Sequence, residues 1–147
     1  MAMAYLEDGD RSGQHRRDVR TYGGRLVSMA DPRGNDSPAR AAARGRYGRN
    51  ALIQGAAAEL FKMWAVTVRA RAGAGTHIVL CLHDELLVHT PADQGEAVAR
   101  LVDDCLQEVA RRWAPGAPVR FISDTSVVRR WSDAKGGAPS AETDLPD

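Results

Sequence analysis

Residues 77–90 read HIVLCLHDELLVHT and form the most apolar part of the chain. Two runs of strand-forming residues, 78–82 and 86–88, flank the polar triplet His83-Asp84-Glu85. Strand formers on both sides of a short polar break predict a β-hairpin with the triplet at or near its tip. The chain therefore places two adjacent carboxylates and an imidazole at the centre of its most hydrophobic segment.

The triplet has more than one interpretation. Burying an unpaired carboxylate costs several kcal/mol or more, so Asp84 and Glu85 are either a solvent-exposed polar turn or the ligands of a hard cation. Mg²⁺ prefers one or two carboxylates together with water and substrate phosphates. A zinc site on His83 and His89 is a further interpretation, but it lacks a third ligand at suitable spacing. The residues alone leave these alternatives open.

The elements upstream of this hairpin are also visible in the sequence. Residues 19–29, VRTYGGRLVSM, predict two short strands around a Gly-Gly turn. Residues 39–72 predict a long helix, because apolar side chains recur there at helical spacing. The predicted apolar stripe consists of Ile53, Ala57, Leu60, Trp64 and Val68.

Downstream, Asp93 followed by Glu96 predicts a capping box at the start of a second helix. The predicted buried face of that helix consists of Val98, Leu101, Val102, Cys105, Val109 and Trp113. Residues 119–122 predict a last short strand. The order hairpin, helix, hairpin, helix, strand indicates an α+β fold, an antiparallel sheet with helices packed on one face.

Charge is unevenly distributed along the chain. Residues 11–72 carry a net charge of +9, residues 73–147 carry −5, and 18 of the 20 basic residues are arginine. A basic half rich in arginine indicates a polyanionic partner, and chance clustering on a solvated surface is the alternative. No apolar run is long enough to cross a bilayer, and Met1–Asp10 lacks the pattern of a signal peptide. We expect a cytoplasmic protein with no membrane partner, in which Cys81 and Cys105 are buried and reduced.

Three polar residues on the long helix form a ladder. Arg46, Asn50 and Gln54 are spaced four residues apart and therefore lie on one face. Every base pair presents hydrogen-bond acceptors in the minor groove, so such donors can follow a duplex without reading its sequence. Arginines 40, 44 and 49 are predicted to reach phosphates. An ordinary exposed helix face is the alternative.

These pieces occur together and in order in a known family. RNALIQGAAAELFK at 49–62, VLCLHDELLVHTP at 79–91 and RRWSDAK at 129–135 resemble the C-terminal palm region of family A DNA polymerases. RTYGGRLVSM at 20–29 is similar to the Thr-x-x-Gly-Arg segment of that family. The resemblance covers roughly residues 15–135. It implies a remnant of a preceding segment at 1–18 and a partial palm domain at 19–135. The acidic, low-complexity composition of residues 136–147 predicts a disordered tail.

The resemblance implies roles for individual residues. Asp84 corresponds to the metal-binding carboxylate of motif C, Glu85 to its supporting neighbour and His83 to the histidine beside the primer end. Mg²⁺ is the implied metal. The implied DNA-contacting residues are Arg46, Asn50, Gln54, Arg25 and Thr21. The sequence departs from the family pattern at Leu52, where Pro is usual, at Ala56, where Thr is usual, at Glu59, where Asp is usual, and at Leu26, where a second Arg is usual.

Part of the implied active site has no counterpart in this sequence. In the family, two features lie upstream of this region: the first metal carboxylate, in motif A, and the fingers helix that binds the incoming triphosphate. Neither can be placed in residues 1–45. We therefore expect the chain alone to be inactive or weakly active as a primer-extending DNA polymerase that uses deoxynucleotide triphosphates. A module that binds primer-template DNA without chemistry, or that complements an upstream polypeptide, is the alternative. A mis-started product that does not fold alone is a third.

Overall fold

The computed structural model describes residues 2–30 and 37–135, and the acidic tail predicted at 136–147 lies outside them. Three α-helices are formed: α1 is Ala2–Gln14, α2 is Pro38–Arg71 and α3 is Gly95–Trp113. Strands β1 (Val19–Arg20) and β2 (Leu26–Val27) pair antiparallel, as do β3 (His77–Leu82) and β4 (Glu85–His89). The predicted α+β class and both predicted hairpins are confirmed. The single antiparallel sheet expected from the sequence is not formed among the described residues, because each hairpin pairs only within itself and makes its own two-stranded sheet.

The chain divides into two compact units, residues 1–61 and 62–147. In the first unit a small core forms around the β1–β2 hairpin. Its buried members are Val19, Val27, Met29 and Leu52, with Leu6 and Ala51 packed against them. Asp18 fixes the exit of the hairpin, because its Oδ1 accepts a hydrogen bond of 2.9 Å from the backbone N–H of Met29.

Arg44 fastens the end of α1 to α2 within this unit. Its guanidinium donates to the carbonyls of Gly13 and Gln14, each at 3.3 Å. The last carbonyls of a helix have no partner inside the helix, so a cationic donor stabilises them. The sequence predicted that Arg44 reaches phosphates, but in the structure its guanidinium binds the carbonyls at the end of α1.

The apolar stripe predicted along α2 is correct only in its second half. Trp64 and Val68 are buried, but Ile53 is 52% exposed and Ala57 is exposed as well. The first unit instead buries Leu52, which is 3% exposed. The side of a helix that is buried depends on what packs against it. Each unit packs different elements on its own part of α2, so a single stripe does not run through both.

In the second unit, α3 starts differently from the prediction. A 3₁₀ turn occupies Ala92–Gln94, and the cap of α3 at Gln94 makes no side-chain hydrogen bond. The capping box predicted from Asp93 and Glu96 is therefore absent, because Asp93 lies inside the 3₁₀ turn and not at the cap of the α-helix. Pro91 precedes the turn and fixes the backbone where the helix would otherwise begin.

The buried face of α3 agrees with the prediction at Val102, Cys105 and Val109. Val98, Leu101 and Trp113 are only half-buried, while Leu106 and Ala110 are buried in addition. Trp64 on α2 donates a hydrogen bond of 2.9 Å from Nε1 to the carbonyl of Val102. This bond lets a large aromatic side chain enter the interior without leaving its N–H unsatisfied.

The strand predicted at residues 119–122 is not formed. This segment has no regular secondary structure, and Val119 and Ile122 are 60% and 75% exposed. Side chains of α3 hold the segment instead. Gln107 donates to the carbonyl of Phe121 at 2.8 Å, and Asp103 accepts from Thr125 at 2.9 Å and from Ser123. Strand formers stay irregular here because the described residues provide no partner strand beside them.

Two other predictions concern the cysteines and the membrane. Cys105 is buried as predicted, but Cys81 is exposed, because it lies on an uncovered face of the β3–β4 hairpin. Within residues 2–30 and 37–135, no helix combines the length and apolarity that crossing a bilayer requires.

Candidate nucleic-acid interface and acidic hairpin tip

The polar triplet lies at the tip of the β3–β4 hairpin. Leu82 pairs with Glu85, so His83 and Asp84 form a two-residue loop. His83 adopts φ = 48°. Two-residue hairpin turns of the favoured types need a positive φ at the first loop position, and histidine tolerates it better than most residues other than glycine. The turn projects all three polar side chains into solvent.

The arms of this hairpin explain how an apolar segment carries the acids. Ile78 and Leu80 on β3 and residues 86–88 on β4 are half-buried, while the tip residues are exposed. The apolar arms therefore anchor the hairpin, and the charged side chains keep their hydration.

As a metal site the tip offers two neighbouring carboxylates. Among the residues that the structure describes, no group of three or more His, Cys, Asp or Glu side chains is arranged to hold a metal ion. Zinc in proteins usually has three or four protein ligands, so this donor set does not match it. A hard cation that completes its shell with water and phosphate oxygens fits Asp84 and Glu85.

A cleft opens in the first unit, between the β1–β2 hairpin and α2. Its volume is about 280 Å³, and its lining residues are Arg25, Val27, Tyr47, Asn50, Ala51, Gln54, Gly55 and Ala58. Asn50 and Gln54 of the predicted ladder share this cleft with Arg25. Arg46 is exposed one turn earlier on α2 but does not line the cleft.

Glu59 ties the turn between β1 and β2 to α2. Its Oε1 accepts hydrogen bonds from Thr21 Oγ1 and, at 3.4 Å, from Arg25 Nε, and its Oε2 accepts from the Gly23 N–H at 3.0 Å. Burial by itself would raise the pKa of Glu59. The three hydrogen bonds and the charge of Arg25 outweigh this effect, so the pKa lies below its ordinary value of 4.5.

Gly55 lets the turn approach α2 closely. A Cβ at this position would collide with Thr21 Cγ2 and would lie 3.0 Å from Arg25 Nη2. Thr21 itself is only 4% exposed. Its buried hydroxyl and methyl groups face Glu59 and Gly55, so Thr21 lies behind Arg25 and supports the turn from within the unit.

The roles of two residues were missed in the sequence: one lines the cleft, and the other holds the β1–β2 turn beside it. Tyr47 lines it and is 55% exposed, and its signal was its position three residues before Asn50 on the ladder face. Glu59 is the only acidic residue between positions 37 and 72, inside an otherwise basic helix. An isolated acid in such a helix indicates a specific partner, and here the partner is the β1–β2 turn.

Comparison with known proteins identifies the family. The model of DNA polymerase family A matches residues 2–133. Over 110 residues the chain is 39% identical to DNA polymerase I of Chloroflexus aurantiacus, covering 73% of this chain and 12% of that protein. The chain belongs to DNA polymerase family A. The resemblance drawn from the ladder, the Thr-x-x-Gly-Arg segment and the hairpin triplet is thereby confirmed at the level of the family.

Two other relatives show how much of the polymerase is represented. Thermostable DNA polymerase I of Thermus thermophilus is 30% identical over 133 residues, which is 90% of this chain and 15% of that protein. DNA polymerase theta of Caenorhabditis elegans is 33% identical over 91 residues, which is 61% of this chain and 6% of that protein. The family match thus spans both units, while the chain corresponds to less than one sixth of these relatives' length.

Proposed function

We propose that this chain is a palm portion of a DNA-directed DNA polymerase, occupying residues 19–135 and acting in nucleotidyl transfer to a primer 3′-hydroxyl. The observation that carries the proposal is the cleft of the first unit. Arg25 from the β1–β2 turn and Asn50 and Gln54 from α2 line this one cleft, although Arg25 and Asn50 are 25 positions apart in the sequence. Family membership supports the choice of DNA as the ligand.

The cleft has the chemistry to hold primer-template duplex. Asn50 and Gln54 can donate to purine N3 and pyrimidine O2, which every base pair presents in the minor groove. Arg25 keeps a side chain that is 57% exposed, so its guanidinium is accessible to a phosphate or a groove acceptor. Arg46 extends the row of Asn50 and Gln54 by one helical turn. Thr21 supports the β1–β2 turn, which carries Arg25, from within the unit. Contacts of this kind fix the position of DNA without reading its sequence.

The hairpin tip is assigned to the catalytic part of the proposal. Asp84 would hold a Mg²⁺ ion, Glu85 would support it, and His83 would lie beside the primer end. When bound, the metal supplies positive charge that offsets the charge developing on the phosphoryl oxygens. The hairpin contributes a short turn anchored by its apolar arms, which presents both carboxylates in an exposed position.

Duplex binding provides the first test. We expect the purified chain to bind a fluorescent primer-template at low salt, with affinity falling steeply as salt rises. Replacing Arg25, Asn50 or Gln54 with Ala should weaken binding. Arg69→Ala removes the same charge from an exposed position on α2 outside the cleft and serves as the matched control. No binding by the wild-type chain at low salt, or equal losses in Arg25→Ala and Arg69→Ala, would contradict the proposal.

Primer extension provides the second test. We expect residues 1–147 with Mg²⁺ and all four deoxynucleotide triphosphates to extend a primer weakly or not at all, because no motif A carboxylate can be placed in residues 1–45. Extension that disappears in Asp84→Asn would show that another carboxylate of this chain completes the site. Duplex binding without extension supports the alternative role as a binding module, or as the partner of an upstream polypeptide that supplies motif A and the fingers.

Metal binding can be read without catalysis. Mn²⁺ is paramagnetic and broadens NMR signals of nuclei close to it. With primer-template bound, we expect Mn²⁺ to broaden the signals of residues 83–85 in the wild-type chain and not in Asp84→Asn. Equal broadening in both proteins would remove Asp84 from the proposed metal site.

A further inference from the structure

Arginine has a long, flexible side chain, so an arginine that must meet DNA in one position benefits from an anchor. Arg25 has such an anchor in the free protein. Its Nε donates to Glu59 Oε1 at 3.4 Å, while its side chain remains 57% exposed and that of Glu59 only 17% exposed. The carboxylate therefore holds the inner nitrogen of the guanidinium, while more than half of the Arg25 side chain stays open to solvent.

Two further contacts make the anchor more than a surface ion pair. Glu59 also holds both Thr21 Oγ1 and the backbone N–H of Gly23, so the whole turn that carries Arg25 is attached to α2. Hydrogen bonds to a charged group are stronger than those between neutral groups, and these three act on one carboxylate. An isolated exposed ion pair contributes little, but a network that fixes a turn has less freedom to lose on binding.

Gly55 gives an independent indication of where the guanidinium is held. Arg25 Nη2 lies over this glycine, where even a single methyl group would be within 3.0 Å. Gly55 also lines the cleft together with Asn50 and Gln54. The bare backbone of α2 at Gly55 therefore lies against the guanidinium in the same cleft that the two amide side chains line.

We infer that Glu59 is a positioning residue for DNA binding, which pre-orients Arg25 toward duplex in the cleft. This inference rests on the proposed function, since it requires that the cleft bind primer-template. Glu59 itself would not touch the DNA. Its negative charge is compensated by Arg25 and by the two other donors, so it does not oppose the approach of a phosphate as an unpaired carboxylate would.

A double-mutant cycle tests the inference. Four proteins are compared in the primer-template binding assay: wild type, Arg25→Ala, Glu59→Gln and the double variant. We expect each single variant to bind about five- to tenfold more weakly, in the range of one charge-assisted hydrogen bond. The double variant should bind no more weakly than Arg25→Ala, because Glu59 acts only through Arg25. Glu7→Gln, which neutralises an exposed carboxylate on α1, is the matched control and should bind like the wild type.

A spectroscopic readout separates positioning from a general loss of structure. In the free wild-type chain, the Nε–Hε NMR signal of Arg25 should be resolved and protected from exchange with water. Glu59→Gln should lose this protection while the amide signals of α1 and α2 keep their positions. If Glu59→Gln lowers the folded fraction, Glu59→Asp, which keeps the charge but shortens the reach, replaces it, with an expected loss of affinity of about threefold.

The outcomes are distinguishable. If the wild-type chain binds no duplex, both the proposed function and this inference fail. If the wild type binds and Arg25→Ala weakens binding while Glu59→Gln does not, only the inference fails. Losses that add in the double variant would also overturn it, because Glu59 would then act independently of Arg25.

Discussion

Glu59 Oε1 and Arg25 Nε lie 3.4 Å apart, and this contact joins the middle of α2 to the turn between β1 and β2. The two residues are 34 positions apart in the sequence. In this pair the guanidinium of Arg25 lies at the cleft, and the carboxylate of Glu59 is mostly buried within the unit. The one acidic residue of an arginine-rich helix therefore has a structural role inside the unit.

Gly55→Ala should destabilise the first unit. Replacing glycine by alanine inside a helix normally stabilises it by up to about 1 kcal/mol. Here the added methyl group would collide with Thr21 Cγ2, and such overpacking typically costs about 1–3 kcal/mol, so a net loss is expected. Chemical denaturation measures the difference. Gly73→Ala is the matched control, because a Cβ there meets open space, and its unfolding free energy should not decrease.

The stability of the first unit should depend on pH through Glu59. The folded-state pKa of Glu59 lies below its ordinary value of 4.5, so folding favours the ionised form. The stabilisation is present above that value and is lost as the pH falls through the folded-state pKa. Denaturation midpoints followed between about pH 7 and about pH 3 should show this loss in the wild type. Glu59→Gln should be less stable at neutral pH and should have a flatter acid dependence; a parallel profile would contradict the assignment.

Position 83 should accept some side chains and not others, because of its backbone conformation. Its φ of 48° lies in the left-handed region. Asparagine enters this region readily, whereas a β-branched residue is strongly disfavoured there. We expect His83→Asn to unfold near the wild-type midpoint and His83→Val to lose about 1–2 kcal/mol. Both variants lack the imidazole, so equal stabilities would show that the turn relaxes and does not hold the backbone in this conformation.

The two cysteines should react at very different rates. Cys81 is exposed on β3, whereas Cys105 is buried on α3. Burial also raises the pKa of the Cys105 thiol, which reduces the thiolate needed for reaction. With a thiol-labelling reagent and detection by mass spectrometry, the native chain should take up one label quickly, at Cys81. The second label should appear only on denaturation, and Cys81→Ser should abolish the fast phase.

Some elements of the fold were predictable from the sequence and others were not. The β3–β4 hairpin and its polar tip were predictable because strand propensity and a polar break act over a few neighbouring residues. The extent of α2 followed from its local pattern for the same reason. The strand at 119–122 and the capping box at Asp93 were wrong, because a strand needs a partner and a cap needs a specific backbone geometry. Neither requirement is visible in a short window of sequence.

The candidate site, too, has features that the sequence could show and features that it could not. Periodicity alone placed Asn50 and Gln54 on one face of a helix, since that depends only on 3.6 residues per turn. The sequence also contained the motifs that indicated DNA polymerase family A. It could not show that Arg25 and Tyr47 join the two amides in one cleft, that Glu59 holds the β1–β2 turn or that Gly55 makes room for it. These relationships depend on how segments more than 20 residues apart pack together, and only the tertiary structure decided them.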